Sequence, residues 1–595
     1  MPTIKERIAA LREQMCLNNL DAYIIPSTDP HAGEYIPEHW QSRKWISGFT
    51  GSAGTVVVTN DMAGLWTDSR YFIQAEKELE NSGIQLIKMK IPHFPCYMDW
   101  LGEHISEGSC VGLDGNIFSI TDFDRLKNIL SKKKISIDSS NDLINNIWTN
   151  RPTIPKSQIF IHDIKYAGYS TSEKIEHVRQ KMSETGVNFH LITTLDDIAW
   201  LFNIRGNDVE FNPVAVSYAL ISMEKAVLFI FDEKVDDKTR TKLTKEGVQI
   251  EDYYTITDHL SKMQPENRIL ISPGKTNICL YDSIPKHCSI SKDLAITTRL
   301  KAIKNKTEIK HLKNLLVKDG IALEKFLFWL EKNLGLIKIT ELSAAEKLTE
   351  FRRQQENYIA HSFYPISGYK GNGAMAHYHV LPETDKVFEK NGLYLIDSGG
   401  QYLDGTTDTT RTVSLGYPTS EEKTDFTLAL VGMIRLSMIK FPEGTFGHQL
   451  DVFARKAMWD RGMNYGHGTG HGVGFFLNVH EGPQGIGPRP GDPNTTLENG
   501  MVITNEPALY KPGKHGVRTE NMLIVVNDIK TEFGQFLKFD TITLCHIDTG
   551  LIDMNIINDE EKEWINNYHK LVFEKLSPHL DKNEKNWLRD KTQKI

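Results

Sequence analysis

The chain of 595 residues predicts an α/β (α+β) architecture of three domains, on three observations. Short apolar, strand-like runs alternate with amphipathic helical stretches through residues 1–305. That plan runs once over 1–155 and again over 156–305. From residue 306 the pattern changes to long helices and glycine-rich strand–turn segments, which mark a third domain over 306–595. A chain of this length exceeds what one hydrophobic core supports.

Residues 4–19 read as an amphipathic helix through Ile4, Ile8, Leu11 and Met15, followed by the short strand DAYIIPS ending near Pro26. WISGFTGSAGTVVVT (45–59) is a Gly/Ser turn entering a Val-rich strand, and Met62–Phe72 reads as the next strand. The turn-rich WTNRPTIP (148–155) closes the first domain. In the second, a helix over Ser172–Glu184 leads to the strand FHLITT. LDDIAWLFNIRG (195–206) then mirrors WISGFTG, and AVLFIF (226–231) mirrors GTVVVT. In the third, Leu312, Leu315, Leu316, Leu323, Phe326, Leu327 and Leu330 recur at helical spacing within Glu308–Lys332. A second helix is expected from Ser343, where Ser343 and Glu346 have capping-box spacing. Helices follow near 421–440 and 448–461, then Gly- and His-rich strands to about 547, and a charged helical end over Asp559–Arg589.

The composition is that of an ordinary globular protein, 40% hydrophobic and 25% charged, and the net charge of −8 argues against a nucleic-acid partner. The triplet Lys132-Lys133-Lys134 reads as a solvated turn. Six cysteines show no CxxC spacing, so free thiols in a reducing compartment are expected. The N-terminal MPTIKERIAALREQM lacks an apolar signal core, and no apolar run reaches the ~18 residues of a membrane span. These features predict a cytoplasmic protein without a membrane partner.

Three segments carry chemistry. In GLYLIDSGGQYLDGTTDTTRTVSLG (392–416), an apolar strand ends at Asp397, Asp404-Gly405 signals a turn, and Asp408 opens a Thr-rich strand. A hairpin there sets two carboxylates side by side, which is costly unless a cation lies between them. As an isolated pair, among 77 acidic residues, they are better read as solvated turn residues. In YGHGTGHGVGFFLNVHEGP (465–483), glycines between His467 and His471 disfavour a helix and imply backbone held close to a ligand or another chain segment; His480 is placed on the next strand. In GMVITNEPALYKPGKHGVRTENMLIVV (500–526), the order strand, Glu506, turn, Glu520, strand repeats the plan of the first segment. Asp397, Asp408, His471, Glu506 and Glu520 together form an oxygen-rich donor set suited to Mn²⁺ or a similar ion rather than a Cys-rich zinc site. Five such ligands suffice for two ions ~3.5–4 Å apart.

Along nearly its whole length the chain resembles the aminopeptidase P (Xaa-Pro aminopeptidase) family of pita-bread metallopeptidases, in its three-domain cytosolic form. GFTGSAGT (48–55), WTDSRYF (66–72), LDDIAWLFNIRGNDVEFNPV (195–214), FRRQQ (351–355), the three segments above and WINNYH (564–569) carry the likeness. It implies two related creatinase-like domains ahead of a pita-bread domain. It also implies that Asp397 binds one metal, His471 and Glu506 the other, and that Asp408 and Glu520 bridge both. His377 in GNGAMAHYH, His467 and His480 take substrate-side or catalytic roles, Arg70 meets the far end of a peptide, and Arg518 supports the metal carboxylates. A simpler reading of Arg70 is an ion pair with Asp68 or Glu76, and of His377 a surface loop histidine. Ala508 and Leu509 depart from the family's usual glycine and aromatic.

The implied activity is release of the first residue from peptides with proline second. Hydroxide held between two cations attacks the carbonyl, Glu506 takes the proton, and a histidine assists departure of the proline nitrogen. A homodimer is expected from the family. The alternatives are a prolidase restricted to Xaa-Pro dipeptides and a non-catalytic pita-bread binding protein.

Overall fold

The computed structural model describes residues 2–90, 94–491 and 495–595. The chain forms two compact units, Met1–Ile164 with Tyr169–Arg299, and Lys165–Gly168 with Leu300–Ile595.

The first unit is built twice over. Strands β1 (Ala22–Pro26), β2 (Thr55–Thr59), β3 (Ala63–Asp68), β4 (Gln85–Met89), β5 (Cys110–Leu113) and β6 (Ser136–Asp138) form one sheet in the order β4-β3-β2-β1-β5-β6. Strands β7 (Phe189–Ile192), β8 (Tyr218–Ser222), β9 (Ala226–Phe229), β10 (Val248–Glu251), β11 (Arg268–Ile271) and β12 (Ser289–Lys292) form another in the order β10-β9-β8-β7-β11-β12. Pair by pair the directions agree. The β1/β2 and β2/β3 pairs are antiparallel and the other three parallel, as are their counterparts in the second sheet. The helices that enter each copy, α1 (Ile4–Leu17) and α3 (Thr171–Thr185), open with the same device, capping boxes of Thr3 with Glu6 and Ser170 with Glu173. Helices α2 (Ser42–Ser47) and α4 (Leu195–Leu201) then occupy the matching first crossover.

Two readings need correction here. AVLFIF contributes β9, the counterpart of β3, whereas the counterpart of the Val-rich β2 is YALIS (218–222). Short apolar strands are alike enough that matching by composition slips one strand along. The expected strand Met62–Phe72 is shorter, because Asp68 accepts the backbone N–H of Arg70 (3.1 Å) and turns the chain into a helix over Phe72–Glu78.

In the second unit, helix α5 (Lys306–Asn333) is capped by Asn305 with Glu308. It delivers Leu312, Leu315 and Leu316 to one apolar cluster and Leu323, Phe326, Leu327 and Leu330 to another. Helix α6 (Glu341–Arg353) starts earlier than expected. Its cap is Thr340 and its box partner is Ser343, whose hydroxyl accepts the Thr340 N–H at 2.7 Å. Ser343 therefore sits inside the first turn instead of preceding it. Helices α7 (Ser420–Met438), α8 (Gly447–Trp459), α9 (Asp559–Leu576) and α10 (Lys582–Lys591) follow.

The strands that position the site come in two similar groups. Strands β13 (Leu393–Ser398) and β14 (Thr409–Ser414) pair antiparallel, with Asp397 opposite Thr410, and Gly400–Tyr402 pairs with Gly405–Thr406 as an inner hairpin between them. Strands β15 (Val502–Asn505) and β16 (Asn521–Thr531) pair antiparallel, with Asn505 opposite Asn521, and Ala508–Lys511 pairs with His515–Arg518 as the inner hairpin. The first inner turn is packed under α5, where Gly405, at φ +143°, abuts Leu312 and Leu315. The second inner turn, Pro512 to Lys514, is exposed.

Candidate metal centre

The two hairpin groups bring their acids together. Asp397, Asp408 and Glu520 offer carboxylate oxygens that lie within 4.8 Å of one another; so do ligand atoms of His471, Glu506 and Glu520, and of Asp408, His471 and His480. The His471 Nε2 is 3.4 Å from Asp408 Oδ2 and 3.6 Å from Glu506 Oε1. His471 lies on the short strand Gly470–Gly472, and its N–H donates to Thr504 Oγ1 at 3.0 Å. The glycines beside it are there because backbone runs against them. A Cβ on Gly470 would come within 1.9 Å of the Thr504 carbonyl oxygen, and one on Gly472 within 2.2 Å of that of Glu481. His480 is placed just ahead of the strand Glu481–Ile486 instead of on it, and its ring meets His471 edge-on at 4.3 Å. It thus stands beside Asp408 and His471 at the edge of the acid cluster.

Arg518, at the end of the second inner hairpin, donates to Asp397 Oδ2 at 2.6 Å and to Thr410 Oγ1 at 3.1 Å, and also to the Tyr510 hydroxyl. Thr410 donates to Glu520 Oε2 at 2.7 Å. His467 Nε2 pairs with the same Tyr510 hydroxyl at 2.9 Å, and its Nδ1 lies 3.9 Å from Glu506 Oε2. Thr410 and Tyr510 escaped the sequence reading. Neither side chain announces a role, and only the register between the hairpins places them among the acids. Tyr510 follows Leu509 on the strand Ala508–Lys511, so its side chain leaves the face opposite that of Leu509.

His377 is half-buried in the turn that follows a short 3₁₀ segment, Lys370–Ala374, of the same unit. Arg70 belongs to the first unit, where it forms a fork-on-fork pair with Asp68 (2.8 and 2.7 Å), while Glu76 pairs with Lys88. Arg70 also lines a cavity of about 540 Å³ with Asp29, Glu34 and Lys275.

The donor set suits divalent cations. Burial raises the Asp397 carboxyl against the pull of Arg518, with Asp408 adding to the rise. Burial, then Asp408 and Asp397, push Glu520 well above the carboxylate range. Burial lifts Glu506 to about 7, although His471 and Arg518 oppose it. Burial alone would pull the His471 imidazole down, but its hydrogen bond to Asp408 and the charges of Glu506 and Asp408 hold it up at about 9. Such shifts mark acids that burial first, and one another's charge second, make costly to ionise. The Oδ1 atom of Asp397 is buried with no hydrogen-bond partner among the described residues. A buried hard oxygen aimed into an acid cluster is the signature of a ligand atom. A fourth group, Glu324, Cys545 and His546, is different. Both Glu324 oxygens already accept from His546, one from the N–H and one from Nδ1, each at 2.7 Å, so this cluster is a satisfied internal clasp.

Family models agree with this geometry. "Creatinase/Prolidase N-terminal domain" models match residues 7–147 and 150–308, "Metallopeptidase family M24" matches 310–527, and "C-terminal region of peptidase_M24" matches 535–595. A probable Xaa-Pro aminopeptidase P of Laccaria bicolor is 40% identical, over 98% of this chain and 92% of its own. The chain belongs to the Xaa-Pro aminopeptidase family of M24 metallopeptidases. Xaa-Pro aminopeptidase 1 of Dictyostelium discoideum, another member, is 39% identical over 100% of this chain and 97% of its own. The crystal structure of X-prolyl aminopeptidase from Caenorhabditis elegans, described as a cytosolic enzyme with a di-nuclear active site, matches with a TM-score of 0.96. It is 35% identical and covers 100% of both chains. The prolidase of Pyrococcus horikoshii OT3 shares the fold over 63% of this chain and 99% of its own, at 22% identity and a TM-score of 0.50. The creatinase-like N-terminal half and metallopeptidase C-terminal half read from the sequence are those of the family. Among the described residues no helix is long and apolar enough to cross a membrane, and all six cysteines are free.

Proposed function

We propose that the protein is a cytosolic two-metal aminopeptidase that releases the first residue of peptides whose second residue is proline. The observation that carries this reading is the convergence of Asp397, Asp408, His471, Glu506 and Glu520 from two similar hairpin groups and one glycine-flanked strand. Family membership and the di-nuclear centre of the nematode relative support it.

Asp397 would hold one ion, His471 and Glu506 the other, with Asp408 and Glu520 shared between them. Four carboxylates and an imidazole favour Mn²⁺ over softer-ligand metals. When bound, two such ions polarise a carbonyl and make water acidic enough to attack it near neutral pH. The protein's own groups do the rest. Glu506 takes the water proton. His467, 3.9 Å from Glu506 and hydrogen-bonded to Tyr510, passes a proton to the departing nitrogen, which leaves poorly as an anion. Arg518 holds Asp397 in register. His377 and His480 contact the substrate around the proline ring, whose nitrogen offers no N–H and whose φ is fixed. Arg70 meets the far end of the peptide, and the working form is a homodimer.

Hydrolysis of Arg-Pro-Pro with added Mn²⁺, with products identified, tests the reading. Free arginine is the expected first product, with Arg-Pro cleaved far more slowly. Cleavage of the dipeptide alone points to a prolidase, and full activity in Glu506→Ala removes the proposal.

A further inference from the structure

His467 is flanked by Gly466 and Gly468, so its own backbone does little to fix it. The restraint comes from helix α8. Buried Arg455 donates to the carbonyl oxygens of His467 (2.7 Å) and Tyr465 (2.8 Å) and to Asn464 Oδ1 (3.0 Å). Its guanidinium lies 3.8 Å from the Tyr465 ring centre. One turn earlier on α8, Asp451 accepts from Arg455 Nε at 2.6 Å, and its other oxygen accepts from the Thr469 hydroxyl, which also meets the Tyr465 hydroxyl. The carbonyl oxygen of Thr469 accepts the backbone N–H of Glu506 at 2.8 Å. One buried ion pair thus grips the loop 464–469 on both sides of His467 and reaches the backbone of Glu506.

We infer that Asp451 and Arg455 are positioning residues that set His467 against Glu506. The inference rests on the catalytic reading of the site above. A buried Arg–Asp pair is poor value for stability alone. Its worth here lies in geometry. The planar fork serves four acceptors at fixed angles, which the single ammonium of lysine cannot do.

The test uses the full-length, Mn²⁺-loaded protein. Arg455→Met and Arg455→Lys should each lower kcat on Arg-Pro-Pro on the order of a hundredfold, with KM and bound metal little changed. The double variant Arg455→Met/His467→Ala should be no slower than His467→Ala alone, because residues acting through one another are not additive. Hydrogen exchange of the amides in 464–469 should quicken in both Arg455 variants. Unchanged kcat, additive losses, loss of metal or unchanged exchange each overturns the inference. A wild-type protein that cleaves no peptide removes the proposed function, and the exchange measurement then still decides the clamp.

Discussion

At Asp397 one guanidinium offsets a carboxylate whose other oxygen has no hydrogen-bond partner among the described residues. Arg518 keeps that carboxyl from rising further and fixes which oxygen is left over. Arg518→Met should therefore weaken metal binding about 10–100-fold, read by titration of the metal-free protein, while the fold seen by circular dichroism is kept. Equal affinity in the variant would show that Arg518 serves the fold alone. The clustered acids were legible in the sequence because each stands where a strand meets a turn, Asp397, Glu506 and Glu520 beside apolar strands and Asp408 beside a Thr-rich one. Their partners were not. Thr410 and Tyr510 are ordinary strand residues until the pairing of two distant hairpins aims them at Glu520, Arg518 and His467.

Among the elements, the strand Gly470–Gly472 has little freedom. Its glycines were readable as close approach, although the sequence did not say to what; the answer is the backbone of Thr504 and Glu481. A methyl group on Gly470 has no flexible side chain to displace, only a carbonyl oxygen, so the strand must move and carry His471 with it. Gly470→Ala should abolish metal binding and peptidase activity together, and retention of either in a soluble variant would contradict the contact. Helix starts were legible to within a few residues. The cap of α6 was misplaced because Ser343 and Glu346 satisfy the spacing as well as Thr340 and Ser343 do. Strand equivalence between the two sheets failed for a similar reason, since YALIS and AVLF are both short buried runs.

Across the whole molecule, the duplicated unit buries histidines that the chemistry does not use. His190 is fully buried on β7, and burial pulls its imidazole down to about 4 despite a weak contact with the Leu270 carbonyl. His31 is drawn down to about 3 in the same way. Both stay neutral in the folded state while the unfolded chain titrates near 6.5, so acidification below 6.5 protonates only the unfolded form and stability is lost. By pH 5 each costs about 2 kcal/mol. Asp29 and Asp114, lifted by burial to about 6, act in the opposite sense and regain stability as pH falls from 6 towards 4. A difference measurement separates these contributions. The stability of His190→Leu relative to wild type should shift in the variant's favour by about 2 kcal/mol between pH 7 and pH 5, measured by denaturant unfolding. A pH-independent difference would show that His190 already titrates normally when folded.

The two inner hairpins do equivalent work yet face different constraints. Gly405 is pinned beneath α5, whereas Gly513 stands at an exposed tip with open space where a side chain would go. Changes in loop length should therefore accumulate at 512–514 and be purged at 403–405. Glu506 and Glu520 sit at the base of a stem whose tip is exposed, while the stem between Asp397 and Asp408 turns beneath a helix.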